Sequence, residues 1–263
     1  MSHNCLTKKA SYLLLAFFVL ISSNISASPY LSIIIDDIGD HYKNDSQALS
    51  LPGAITYALL PYSRFAKKLA SKNKDSEKEF ILHSPMQSID SRLQQNHTLH
   101  MHMSEKQFRK QVIKQIKQFP FIKGINNHMG SLLTMHPAYM NLFMQTIKQQ
   151  GPLYFVDSRT TVHTVAEKVA SENKIPVLRR DIFLDAVNEP SFINQQLDSA
   201  IKLANDRGYA VAIAHPQPET ITVLKKRLSN LKQKIKLVPV STLIKKITEQ
   251  SHEKSTGTFS ARL

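Results

Sequence analysis

The segment LSIIIDDIGD, Leu31 to Asp40, decides how the rest of the chain reads. A continuous apolar, β-branched run predicts a strand buried on both faces, as in a parallel sheet, and it ends abruptly in two adjacent carboxylates and a glycine turn. Taken alone, Asp36 and Asp37 fit the caps of a turn or of a following helix. Whether they do more depends on what else converges on them.

Working outward, the chain alternates strands with helices. Ala54–Leu60 (AITYALL), Glu79–His83 (EFILH), Phe121–His128 (FIKGINNH), Pro152–Asp157 (PLYFVD), Ile175–Arg179, Tyr209–Ala214 (YAVAIA) and Lys236–Val240 read as strands. Helices are expected over Ser63–Lys74, from the Ser104/Gln107 capping box to Phe119, over Pro137–Gln149, Val162–Glu172, Pro190–Arg207 and Glu219–Leu228, and from Ser241 to Glu249. Pro85 is expected to stop the third strand at His83. The weakest strand is Phe121–His128, which carries Gly124 and two asparagines. This alternation implies a mostly parallel sheet with right-handed crossovers, either closed as a barrel or open and doubly wound. In such a sheet the loops after the strands gather at one mouth. Asp36, Asp37, His83, His128, Asp157 and His215 all stand at carboxyl ends of predicted strands, so they would meet there.

Two histidines and a carboxylate around an open position are a common catalytic site for zinc or a similar divalent ion. A remaining carboxylate and histidine can move protons. The shared topological position, rather than any single residue, makes this constellation worth testing.

The totals bound the setting. The 263 residues suffice for one large domain, 28–249. Residues 1–27 have the three parts of a secretory signal peptide: Lys8 and Lys9, the apolar run Tyr12–Ile21, and a small-residue stretch cleaved after Ala27. An uncleaved anchor is the alternative, because Ile25 is a poor residue three before the cut. Export, most simply to the periplasm, follows, and no second span appears. The only cysteine, Cys5, lies in the leader, which excludes a disulfide framework and a cysteine metal site from the mature chain. Residues 250–263 read as a disordered tail. The formal charge of +14 falls only to about +12 without the leader. That favours an anionic envelope polymer or glycan as partner, or simply a solvated charged face. The lysines are scattered and no nucleic-acid motif is present. His97, His100 and His102, interleaved with Met101 and Met103, superficially resemble a copper-handling tract, but an exposed lead-in to the Ser104 cap explains them with less. No phosphate loop or Gly-x-Ser-x-Gly elbow is present.

Taken in order, IIIDDIGD (33–40), LHSPMQ (82–87), GINNHMGS (124–131), YFVDSRT (154–160), FLDA (183–186) and AIAHPQPET (212–220) resemble the divergent polysaccharide deacetylase family. The resemblance implies a distorted (β/α) barrel and a metal-dependent hydrolase that removes acyl groups from glycans. It maps Asp36 onto the proton-accepting base, Asp37 and His83 onto metal ligands, and His215 onto the group that protonates the departing amine. Ordinary deacetylases carry a second histidine four residues after the first, where this chain has Gln87. The family's own pattern offers His128 as the replacement ligand. Asp157 would orient His215 or the base, and Arg180 or Asp185 would tune Asp36. An inactive glycan- or protein-binding descendant is the rival reading.

Overall fold

The computed structural model describes residues 28–260 apart from 74–77, 91, 93–96 and 232–234, so the leader expected at 1–27 lies outside the described residues. Nine strands form one parallel sheet: β1 (Tyr30–Ile38), β2 (Thr56–Leu59), β3 (Glu79–Met86), β4 (Gly124–Met129), β5 (Tyr154–Asp157), β6 (Val177–Arg179), β7 (Ile182–Phe183), β8 (Tyr209–Ala214) and β9 (Lys236–Leu237). Their order is β6-β5-β4-β3-β2-β1-β8-β7, with β9 also on β1. The central position of β1 explains its unbroken Ile33–Ile35 run, since side chains on both faces are covered.

The sheet is a distorted barrel with a seam. Its two edge strands, β6 and β7, are separated in sequence only by Arg180 and Asp181, so the edges lie within roughly 11 Å of each other. Both linking residues stitch the seam: Arg180 N donates to Asp157 O at 2.9 Å and Asp181 N to Val211 O at 2.9 Å. Side-chain parity then sorts the core. Ile34, Ala58, Ile81, Val156 and Ile213 fill the interior, whereas Ile33, Ile35, Leu59, Leu82, Ile125 and Phe155 face the helices.

Those helices are α1 (Tyr42–Ala48), α2 (Ala66–Asn73), α3 (Glu105–Ile116), α4 (Pro137–Lys148), α5 (Ala166–Glu172), α6 (Pro190–Arg207), α7 (Pro218–Leu228) and α8 (Val240–Ser260). The Ser104/Gln107 capping box is formed at α3. By its backbone α8 extends to Ser260, into the stretch read from sequence as a tail. No helix of the described residues is long and apolar enough to cross a membrane.

At the amino-terminal end of the barrel, α8 docks through a buried polar knot. Glu79 Oε1 accepts from Thr56 Oγ1 at 2.9 Å, Tyr154 Oη at 2.7 Å and Ser241 N at 3.2 Å, and Thr56 Oγ1 in turn accepts from Val240 N at 3.1 Å. Burial, reinforced by Glu79, raises the Tyr154 phenol well above its ordinary pKa. The glycine that made β4 look weak is required here, because a Cβ on Gly124 would lie 2.4 Å from the Tyr154 ring.

One local expectation is corrected, and two elements had no counterpart in the sequence reading. Pro85 does not end β3, which runs on to Met86. The proline lacks a donor, but β2 has already ended opposite Leu82, and Pro85 O is used by Leu99 N at 2.9 Å. The short helix α1 and the two-residue strand β7 carry no usable periodicity and are legible only in the fold.

Candidate metal centre

The strand ends predicted to converge do so at the carboxyl edge of the barrel. In a regular strand Asp36 and Asp37 would point to opposite faces. Instead the β1–β2 register slips between Ile35 and Ile38, and Asp37 takes a left-handed φ of 57°. This kink brings both carboxylates to the same histidines. The turn that follows is tight: a Cβ on Gly39 would lie 1.9 Å from Ser63 Oγ. Buried Asp45 holds it, its Oδ2 accepting from Gly39 N at 2.9 Å and His41 N at 3.1 Å.

Asp37 Oδ1, His83 Nε2 and His128 Nδ1 form a group that could hold a metal ion. Asp37 Oδ1 is 3.1 Å from His83 Nε2 and 3.0 Å from His128 Nδ1, and the two nitrogens are 3.1 Å apart. Adjacent ligands of a tetrahedral zinc ion stand about 3.3 Å apart, so these edges suit a small divalent cation. The chemistry fits as well. Asp37 Oδ1 is buried without a directed hydrogen bond, although nitrogens surround it. His83 uses its other nitrogen, Nδ1, against Asn126 Oδ1 at 2.7 Å, which leaves Nε2 free to face the group. Among the described residues this is the one such group. His100 and His102 merely stack, their ring centroids 4.8 Å apart.

Gln87 is engaged elsewhere. Its Oε1 accepts from Met101 N at 2.8 Å, which pins the 99–103 segment beside the end of β3. His128 instead reaches the group from β4, the strand next to β3 in the sheet.

The remaining residues divide by face. Asp36, 3 % exposed, has the parity of Ile34 and lies inside; its Oδ1 accepts from Asn126 Nδ2 at 2.8 Å and its Oδ2 is 3.6 Å from His83 Nε2. Burial raises its pKa against the opposing pull of His83 and His215. Burial alone would also raise Asp37, but His128 and His83 outweigh it and hold that carboxyl well below the usual range. Burial opposes protonation of His83, yet Asp36 and Asp37 raise its pKa. For His215 burial is overcome by Asp185 and then Asp37, which push it up to about 9.

Asp185, not Asp157, meets His215. Its Oδ1 is 3.2 Å from His215 Nδ1, and its Oδ2 accepts from His215 N at 2.7 Å and Thr220 Oγ1 at 2.9 Å. His215 Nε2 is thereby turned toward Asp37 Oδ2, 3.7 Å away. Asp157 follows the inward-facing Val156 and so points outward, where it accepts from Arg159 N at 2.9 Å and Thr164 Oγ1 at 2.9 Å. Arg180 donates to the carbonyls of Ser158 and Arg159 at 2.7 and 2.8 Å and stacks over Phe183, while feeling Asp36 only through space. Sequence reasoning missed Asn126 and Thr220, since an asparagine in a strand and a threonine in a helix carry no signal of their own.

Comparison with known proteins adds four findings. A profile of the divergent polysaccharide deacetylases matches residues 33–244. An uncharacterized protein of Haemophilus influenzae is 35 % identical over 241 residues, covering 91 % of this chain and 86 % of that one. Among solved structures, the uncharacterized protein ATU2773 of Agrobacterium tumefaciens C58 superposes with a TM-score of 0.78 at 18 % identity, covering 82 % of this chain and 89 % of that one. A mutant of a CE4 family pseudoenzyme with restored enzymatic activity does so at 0.51 and 15 % identity, covering 82 % and 68 %. At those identities both structures show the shared fold.

Proposed function

Because the chain belongs to the divergent polysaccharide deacetylase family, we propose that it is a metal-dependent hydrolase that removes acetyl or other acyl groups from an envelope glycan. The observation that carries this reading is the clustering of two carboxylates and three imidazoles at one end of the barrel, with Asp37, His83 and His128 presenting donor atoms 3.0 to 3.1 Å apart.

These three residues would hold the ion, for which zinc suits the nitrogen-rich set. When bound, a divalent ion lowers the pKa of water and polarises an acyl oxygen. Asp36, interior and held above its ordinary pKa, is the base that takes a proton from the attacking water. His215, protonated at neutral pH with Nδ1 held by Asp185, gives a proton from Nε2 to the departing amine. Asp185 and Thr220 keep that ring aimed. The proposed setting is the periplasm, from the signal-peptide pattern of residues 1–27, and a chain of net charge +14 suits an anionic envelope polymer.

The test is acetate release from isolated envelope glycans by zinc-loaded protein. Asp36→Asn is expected to lower the rate by about 10² to 10⁴. Release that is unchanged in Asp36→Asn excludes the proposed base. A second reading, a binding protein that keeps the cleft without turnover, is favoured by Gln87, which serves Met101 instead of standing as a histidine ligand. Tight glycan binding with no acetate release selects it.

A further inference from the structure

Asn126 is fully buried, on β4, and joins two groups that lie on different strands. In the β3–β4 register it pairs with His83, and its Oδ1 is 2.7 Å from His83 Nδ1. From the same amide, Nδ2 crosses the barrel interior to Asp36 Oδ1 on β1 at 2.8 Å, although β3 and β2 stand between β4 and β1 in the sheet. The two ends of an amide are chemically distinct: the oxygen only accepts and the nitrogen only donates. With oxygen toward the imidazole, Nδ1 must carry a proton, so in the neutral ring that a metal requires the lone pair sits on Nε2, the atom that faces Asp37 and His128. With nitrogen toward the carboxylate, one lone pair of Asp36 is tied down and the plane of its carboxyl is fixed.

We infer that Asn126 is the positioning residue of this centre, fixing with one side chain both the metal-binding tautomer of His83 and the orientation of Asp36. The inference rests on the metal reading above and assigns the amide a directional task that a polar plug in the barrel would not have. Its two halves separate by substitution. Asn126→Asp keeps an acceptor toward His83 Nδ1 but replaces the donor toward Asp36 with another acceptor. Asn126→Leu, of similar size, removes both.

The measurements are zinc affinity by chelator competition, ¹⁵N signals of the His83 ring in zinc-loaded protein, and kcat against KM for acyl release. In the wild type, His83 is expected to show a protonated Nδ1 and a metal-bound Nε2. Asn126→Leu should weaken zinc binding about 10- to 100-fold. Asn126→Asp should keep zinc affinity within about threefold of wild type while kcat falls at least about tenfold at unchanged KM. Wild-type zinc affinity and ring signals in Asn126→Leu would overturn the inference, as would equal losses of zinc in both variants. If neither variant folds, the wild-type ring signals decide, and a protonated Nε2 on His83 rejects it. Zinc binding without turnover removes only the hydrolytic reading, whereas a wild type that binds no zinc removes the metal reading and this inference together.

Discussion

The two ends of the barrel bury the same kinds of groups and treat them oppositely. At the amino-terminal end, one carboxylate oxygen of Glu79 collects three donors, from Thr56, Tyr154 and Ser241, and locks α8 onto the strands. At the carboxyl end, two adjacent carboxylates crowd three imidazoles, while Asp37 Oδ1, one of the three atoms of the candidate metal group, stays buried without a hydrogen-bond partner among the described residues. Satisfied buried polar groups fix a structure. Unsatisfied ones cost stability and persist where a ligand completes them. The difference separates the end that holds the fold from the end proposed to bind the metal.

That separation can be broken experimentally. The largest effect is expected at the mouth: His83→Ala and His128→Ala should each weaken zinc binding by at least about a hundredfold in a chelator competition, with far smaller losses of stability. If zinc content is unchanged in both, the ligand set is wrong. At the other end Glu79→Ala, which strands two buried donors and one part-buried donor, should cost about 3 kcal/mol in urea unfolding and leave zinc affinity intact.

A pH series probes the mouth from another side. His215 titrates near 9 when folded against 6.5 when free, so its pairing adds stability that is complete below pH 6.5 and lost as pH rises through 9. In chelator-treated protein the loss should be about 3 kcal/mol between those limits, and Asp185→Asn should flatten the profile. A profile that is equally steep in the variant assigns the slope to another group. The smallest effect belongs to Gln87→Ala, about 1 kcal/mol with zinc affinity unchanged, because among the described residues the Gln87 side chain accepts only from Met101 N. Lost zinc in that variant would bring Gln87 back into the centre.

Much of this arrangement is legible along the chain, and the particular residues show why the rest is not. Asp36, His83 and His215 each close an apolar run and His128 closes a weaker strand pattern, and a parallel sheet gathers its strand ends on one edge, so their meeting follows from local pattern. Asp157 satisfies the same pattern and misses the centre, because it lies one residue out of phase and faces the helices. Asp185 sits in what reads as a loop, yet β7 brings it to His215. Asn126 acts across the barrel, at a sequence separation of 90 from Asp36, and no local periodicity encodes such a contact.

The sequence by itself determined the alternation of elements, the parallel sheet and the roster of acids and imidazoles, since these rest on hydrophobic periodicity and residue chemistry, while the deacetylase resemblance rests on motifs matched in order. Only the tertiary structure decided which face each side chain takes. A slipped register in β1 aims Asp36 and Asp37 at the same histidines, the β3–β4 pairing sets Asn126 beside His83, and the curl of the sheet brings β1 within reach of β4. Face and distance belong to strand pairing and barrel closure, which a chain read residue by residue does not carry.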